Sequence, residues 1–149
     1  MKKVLGIGNA LVDVLVQVES ELILNELQLP KGSMQLINTE RYLKIQKRLE
    51  SLNKQLTTGG SACNTILAIA NLGGQPGLIG KVGHDEMATF FADNCVRHDI
   101  KANLLHAEQL PTGVASTFIT PDGQRTFGTH LGAAATLTAC LLYTSPSPR

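Results

Sequence analysis

The stretch Thr57–Ile66, TTGGSACNTI, places two consecutive glycines directly before an apolar helical pattern. Glycine loses more backbone freedom on folding than any other residue, so two glycines together need a physical reason. The first N–H groups of a helix lack partners within it, and Ser61 is predicted to cap them. Asn64 adds a side chain that both donates and accepts hydrogen bonds. An ordinary turn with a cap would explain the glycines alone, but this combination favours a site for a polar ligand.

The patterns on either side of this stretch alternate between strand and helix. Such alternation is typical of βαβ units and a mostly parallel sheet. The segments 12–18 and 114–130 instead alternate apolar with polar residues, as antiparallel strands with one wet face do, and Asp122-Gly123 predicts a hairpin. We therefore predict the α/β class, with a small, separate antiparallel β-sheet as a lid. The predicted strands are 3–7, 12–18, 33–37, 78–82, 104–106, 114–120 and 125–130, and the predicted helices are 21–27, a long helix from 39 through Leu56, 62–72 and one capped by Asp85.

Composition and charge exclude several classes of partner. The chain has 149 residues, 43% of them hydrophobic and 17% charged, with a formal net charge of +1. This size fits one domain or the front part of a larger one, and the absence of a basic run argues against nucleic acid or an anionic membrane as a partner. No segment reaches the roughly 20 apolar residues that span a bilayer. Three widely spaced cysteines predict a reduced protein, so we expect a soluble, cytoplasmic one.

Asp13 is the one acidic residue within the alternating strand 12–18, on the face opposite its valines. A carboxylate among apolar residues must be solvated, paired or bound to a ligand. An exposed position on an edge strand and a ligand site are equally consistent with the sequence. Because a carboxylate can accept two hydrogen bonds from neighbouring hydroxyls, a sugar is the natural ligand for it.

Two further motifs carry weaker signals. Gly6–Leu11, GIGNAL, has the first two glycines of a dinucleotide-binding fingerprint, but leucine replaces the third and a strand follows it, which disfavours an NAD-dependent oxidoreductase. Arg125 lies on the predicted hairpin, where a solvated charge is the commoner outcome; it could also close over an anionic ligand. The histidines show no metal-ligand spacing, so no metal site is predicted.

Five segments in order resemble the ribokinase-like (PfkB) carbohydrate kinases, and within them the adenosine kinase branch most. The resemblance covers about residues 3–138, and its most specific part is the GG-S-x-x-N block. The five segments are GIGNALVD, TTGGSACNTILAIANLGG, LIGKVGHDEMATFF, PTGVASTFITPDGQRTF and LGAAATLT.

The resemblance implies a fold and a set of site residues. The fold is a ribokinase-like three-layer α/β sandwich, here partial, with residues 1–139 as the N-terminal part of the kinase domain and lid strands near 12–18, 33–37 and 114–130. Asp13 matches the lid aspartate that binds sugar hydroxyls, and Asn9 lies in the same segment. The residues that match the sugar pocket are Gly59, Gly60, Ser61 and Asn64. Arg125 matches a lid arginine that reaches toward the phosphate.

The family also implies a reaction. Its members are ATP- and Mg²⁺-dependent kinases, so the resemblance implies phosphorylation of the 5′-hydroxyl of a ribonucleoside, adenosine first, or of a sugar hydroxyl. A homodimer through the lid is a further implication. The base of a nucleoside would need an apolar slot, which residues 34–37 and Phe118 could form.

The family's second glycine-rich motif, which holds the general-base aspartate and most of the ATP site, has no counterpart in this sequence. Since phosphoryl transfer depends on positioning and charge stabilisation at the γ-phosphate, we predict no catalytic residue in this chain and no turnover. A non-catalytic nucleoside- or sugar-binding module is the alternative function.

The last ten residues, CLLYTSPSPR at 140–149, differ from all that precedes them. A flexible Pro/Ser tail would explain them. They also match, at all ten positions, one reading frame of a transposon-end adapter used to prepare sequencing libraries. We expect the adapter origin, and therefore leave residues 140–149 out of the fold.

Overall fold

A computed structural model describes residues 3–139 and 141. The elements form two separate sheets with helices packed against each, which confirms the predicted α/β class. In chain order they are β1 Val4–Ile7, β2 Leu11–Gln17, α1 Leu22–Glu26, β3 Met34–Leu36, α2 Thr39–Leu49, β4 Lys54–Gly59, α3 Ser61–Asn71, β5 Pro76–Val82, α4 Glu86–Arg97, β6 Lys101–His106, β7 Gly113–Ile119, β8 Arg125–His130 and a 3₁₀ turn at Gly132–Thr136.

The first sheet is parallel and has the strand order β1-β5-β6. Helices α3 and α4 bury one of its faces, and the side chains between them include Ile66, Leu78 and Phe91, all nearly inaccessible to water. On the opposite face Leu5 and Ile7 remain 47% and 50% exposed. The same face is partly covered at β5, where Ile79 is buried and Lys81 Nζ donates to Thr136 O of the 3₁₀ turn, so the exposed aliphatic part of this face lies at β1.

The second sheet has the order β3-β8-β7-β2-β4 and is mixed rather than antiparallel. The β2–β4 and β7–β8 pairs are antiparallel, whereas β2–β7 and β3–β8 are parallel. The prediction of an antiparallel layer was therefore wrong. Parallel neighbours need a crossover connection, and here long stretches of chain separate β2 from β7 and β3 from β8, a relation that the alternation within each strand does not reveal.

Helices α1 and α2 cover one face of this mixed sheet. The core between them contains Val14, Val16, Ile45, Leu49 and Phe118. The long helix predicted through Leu56 was also wrong, because α2 ends at Leu49. Leu56 belongs instead to β4, where it pairs with Val14 of β2. Leu52 and Leu56 continue the helical spacing, but pairing with β2 decides the conformation of residues 54–59.

The hairpin predicted at Asp122-Gly123 joins β7 to β8, and Gly123 has the positive φ of 80° that such a turn favours. Thr120 Oγ1 donates to Asp122 Oδ1 at 2.6 Å, and Lys31 Nζ donates to Asp122 Oδ2 at 2.6 Å. Among residues 3–139 and 141 no helix is both long and apolar enough to cross a membrane. Of the tail predicted at 140–149, all but Leu141 lies outside the described residues.

Candidate ligand-binding site

Asp13 lies in the middle of β2, on the face of the mixed sheet that α1 and α2 leave uncovered. It is half-buried and pairs with Ala115 on β7 and Thr57 on β4. Burial raises the pKa of Asp13 above its ordinary value, and no hydrogen bond from the described residues offsets that effect. A partly desolvated carboxylate without donors is a group that a ligand with hydroxyls would stabilise.

Gly59 is a glycine because the Asp13 carboxylate occupies the place of a side chain. A Cβ built on Gly59 would lie 2.3 Å from Asp13 Oδ1 and 2.7 Å from Oδ2. Real Cβ atoms do not come so close to another atom, so any larger residue at 59 would displace the carboxylate. The first glycine of the pair therefore leaves the space in which the Asp13 carboxylate lies against the backbone just ahead of α3.

Gly60 is needed for a different reason. Its φ is +94°, a conformation that residues with a side chain rarely adopt, and a Cβ there would lie 2.2 Å from the carbonyl oxygen of Asn9. Its own carbonyl accepts a hydrogen bond of 2.9 Å from Asn64 N. The second glycine therefore lets the loop between β1 and β2 cross the start of α3 in direct backbone contact.

Ser61 does not cap the helix, so this detail of the prediction was wrong. Gly60 is the N-cap residue and has no side chain to bond the first turn, while Ser61 is already helical. Ser61 and Asn64 are both exposed on the first turn of α3. The structure thus places Asp13 on Gly59 and the backbone of Asn9 on Gly60, two contacts side by side, with Ser61 and Asn64 directly after them in the chain.

Arg125 is not part of this cluster. It pairs with Ile119, four residues beyond Ala115, the β7 partner of Asp13. At about 3.3 Å per residue, that offset along the strands is about 13 Å. Arg125 is exposed at the far end of the same sheet face.

An apolar surface lies across the sheet from Asp13. Met34 pairs with Phe127 and Leu36 with Thr129, which continues the row through Ala115 to Asp13. Met34 and Leu36 are 74% and 69% exposed. Phe118 is fully buried in the core on the other face, so its predicted place in an apolar slot was wrong. Phe127 was not predicted as a site residue, although it lies two residues after Arg125 and therefore on the same face of β8.

The described residues contain no cluster of three or more potential metal ligands, and the thiols among them are buried. No group of three or more His, Cys, Asp or Glu side chains in that part of the chain could hold a metal ion. Cys63 and Cys95 are buried and free, and burial raises the pKa of Cys95 to about 11.

This chain is similar in sequence to one protein family and in structure to several solved proteins. A sequence profile described as pfkB family carbohydrate kinase matches residues 33–145. Similar solved structures include a probable sugar kinase from Rhizobium etli CFN 42, with 31% identity, a TM-score of 0.78 and coverage of 91% of this chain and 40% of that one. The adenosine kinase from Sinorhizobium meliloti is 33% identical, with a TM-score of 0.76 and coverage of 91% and 41%.

The adenosine kinase from Trypanosoma brucei brucei, at 24% identity, shares the fold with a TM-score of 0.86 over 97% of this chain and 44% of that one. No curated protein matches the chain in sequence. The chain therefore spans about two fifths of the length of the solved structures that it resembles.

Proposed function

The chain belongs to the pfkB family of carbohydrate kinases, and we propose that it is the N-terminal, substrate-binding portion of a kinase that phosphorylates the 5′-hydroxyl of a ribonucleoside, adenosine first. The observation that carries this proposal is the contact between the Asp13 carboxylate and Gly59 at the start of α3. It leaves an unpaired acceptor beside exposed first-turn groups of a helix, which suits a ligand rich in hydroxyls.

In this proposal Asp13 accepts hydrogen bonds from the two neighbouring hydroxyls of the ribose. The carboxylate is already partly desolvated, so it loses little further hydration on binding and gains two donors. Asn64 and Ser61 on the exposed turn would add bonds to other hydroxyls, and the first N–H groups of α3 would face the same ligand. Asn9 would shape the pocket through its backbone, which contacts Gly60.

A nucleoside suits the surface better than a plain sugar. Met34, Leu36 and Phe127 form an apolar patch on the face that carries Asp13, two to three strands away. With about 4.8 Å between neighbouring strands, the patch lies about 10–14 Å from Asp13, within reach of the base through these long side chains. A free ribose or hexose would leave this patch unused.

In the whole kinase, ATP would supply the phosphoryl group and Mg²⁺ would shield its charge while the 5′-hydroxyl attacks. Among the residues described here, no group of three or more His, Cys, Asp or Glu side chains could hold a metal ion, and the sequence has no counterpart of the glycine-rich motif that the resemblance connects with the ATP site. We therefore assign ATP, Mg²⁺ and catalysis to polypeptide beyond this chain. The chain alone would bind without turnover, and phosphorylated adenosine in a kinase assay on it would contradict this assignment.

Two subsidiary proposals concern the cell and the assembly. The buried free thiols Cys63 and Cys95 suit a reducing compartment, so we place the protein in the cytoplasm. The short edge strand β3, with exposed Met34 and Leu36, is the candidate surface for a homodimer through the lid. Light scattering on the wild type and Leu36→Lys tests this, and a monomeric wild type would contradict the dimer.

Calorimetric titration with adenosine, ribose and fructose tests the central proposal. We expect saturable binding of adenosine, weaker binding of the two sugars, and at least a roughly tenfold loss of adenosine affinity in Asp13→Ala, as for a group at the centre of a site. The control is Asp93→Ala, which removes an exposed carboxylate from α4. Binding that is equal in both variants, or binding of none of the three ligands, would contradict the proposal.

A further inference from the structure

Asp85 does more than cap the helix that it begins. Its Oδ1 accepts from Ala88 N at 2.9 Å, the predicted N-cap bond. The same carboxylate accepts two bonds from one distant residue: Thr112 N donates to Oδ2 at 2.8 Å and Thr112 Oγ1 donates to Oδ1 at 2.6 Å. One side chain thus ties the start of α4 to the residue immediately before β7.

Thr112 completes this network from the other side. It is fully buried, and its Oγ1 also accepts a hydrogen bond of 3.0 Å from Gly83 N. Burial by itself would raise the pKa of Asp85, but the hydrogen bonds from Thr112 and from the first turn of α4 outweigh it and lower that pKa. The carboxylate is therefore ionised at neutral pH, where its bonds are charge-assisted and strong.

The backbone around this network is in direct contact. A Cβ on Gly83 would lie 2.5 Å from Leu110 O, one on Gly113 would lie 2.6 Å from Leu131 O, and one on Gly132 would lie 2.2 Å from Pro111 O. Ala133 N also donates to Pro111 O at 2.8 Å. Of these segments, the one before Gly113 carries the chain from β6 in the parallel sheet to β7 in the mixed sheet, and the one at Leu131–Ala133 follows β8 and leads into the 3₁₀ turn.

From this we propose that Asp85 and Thr112 form a joint that fixes the angle between the two sheets, which makes Asp85 a positioning residue for the ligand site. Gly113, next to Thr112, pairs with Leu11, and Ala115 pairs with Asp13. A shift at the start of β7 therefore moves β2 and the Asp13 carboxylate relative to α3. The joint itself follows from the contacts, whereas its effect on the ligand rests on the proposed nucleoside function.

Distance measurement between spin labels on the two sides of the joint tests it. Val96→Cys on α4 and Leu43→Cys on α2 provide exposed labelling positions, with Cys140→Ser to remove one native thiol and Cys63 and Cys95 left buried. Thr112→Val keeps the shape of the side chain and removes the hydroxyl. We expect it to broaden the label–label distance distribution and to raise the adenosine dissociation constant roughly tenfold, while Thr112→Ser, which retains the hydroxyl, restores both.

Asn38→Ala is the control for a purely structural role. Asn38 caps α2 by accepting from Arg41 N at 3.0 Å, and it joins no second sheet. It should lower the melting temperature by a comparable amount but leave the distance distribution unchanged. Should Thr112→Val fail to fold, Asp85→Asn, which replaces one acceptor with a donor, should broaden the same distribution.

A folded Thr112→Val or Asp85→Asn protein with the wild-type distribution would overturn the joint. The distance measurement needs no ligand, so it tests the joint even if adenosine does not bind. If the wild type does not bind adenosine but Thr112→Val broadens the label–label distance distribution, the result contradicts the proposed function and supports the joint.

Discussion

The two sheets of this protein differ in what lies on their second faces. The mixed sheet packs α1 and α2 on one side and presents Asp13, Thr57 and Gln17 on the other, so its second face accepts water or a polar ligand. The parallel sheet packs α3 and α4 on one side but presents Leu5 and Ile7 on the other. Since parallel sheets are normally buried on both faces, the exposed aliphatic side chains of β1 suit a protein cover better than solvent.

This difference shows how one chain combines two kinds of surface. The exposed face of the mixed sheet has a carboxylate, small residues and an apolar margin, a composition suited to recognising a ligand. The exposed face of the parallel sheet has the large aliphatic side chains of Leu5 and Ile7 on β1 and the charged side chain of Lys101 on β6. That the chain spans about two fifths of its structural relatives is consistent with the second surface being covered by further polypeptide.

We expect the largest difference in unfolding free energy between substitutions on the two faces of the parallel sheet. Leu78 is 2% exposed beneath α3, and Leu78→Ala should cost about 2–5 kcal/mol of unfolding free energy, as deletions in a packed core do. Ile7→Ala on the uncovered face should cost well under about 1 kcal/mol, because little packing is lost. Urea denaturation of both variants measures this, and equal costs would mean that the face of Ile7 is covered in solution.

The connection between the sheets can be tested at Gly60. Gly60→Ala combines a positive φ with the clash against Asn9 O, whereas Gly73→Ala has a φ of +82° and no atom within 4 Å of the new Cβ. Both substitutions suffer the backbone strain, so we expect Gly60→Ala to be worse by about 1–3 kcal/mol, the range for overpacking. Similar melting temperatures for the two variants would contradict the backbone contact at Asn9.

Several parts of the fold were predictable because local residues decide them. The Asp-Gly hairpin, the cap by Asp85 and the apolar stripe of α2 each depend on neighbours in sequence, and each is present. β4 and the parallel β2–β7 pairing were not predictable, since both depend on partners far along the chain. Within the site, Asp13 and Gly59 were each identified as candidates, but nothing in the sequence says that the carboxylate lies on that glycine.

A smaller effect tests that contact within the mixed sheet. Gly59→Ala should be destabilising in the wild type, because the new methyl group displaces the Asp13 carboxylate, and less so in an Asp13→Ala background. We expect a coupling free energy of roughly 0.5–3 kcal/mol from the double-mutant cycle, as for residues in contact. A cycle of Gly59→Ala with Asp93→Ala is the control and should be additive within about 0.5 kcal/mol. Additivity in the Asp13 cycle would show that the two residues do not touch.

The dependence of stability on pH should be weaker still. Because burial raises the pKa of Asp13, the folded protein holds this proton more tightly than the unfolded chain, so the ionised carboxylate lowers stability above the folded-state pKa. Asp13→Asn should therefore raise the melting temperature slightly at pH 7, and the gain should vanish as the pH falls through the ordinary value of 3.8. The same variant should bind adenosine more weakly. A lower melting temperature at pH 7 would indicate that Asp13 has a stabilising partner.

An NMR titration of the ¹⁵N-labelled chain with adenosine would decide whether Asp13 and the glycine pair bind the ribose. We predict that the amide shifts concentrate at Asp13, Gly59, Gly60 and Asn64, with smaller shifts on the apolar patch across the mixed sheet. We also predict that 2′,3′-dideoxyadenosine, which lacks the neighbouring hydroxyls, produces much smaller shifts at Asp13. Shifts confined to the parallel sheet, or shifts of equal size with both compounds, would contradict ribose binding at this site.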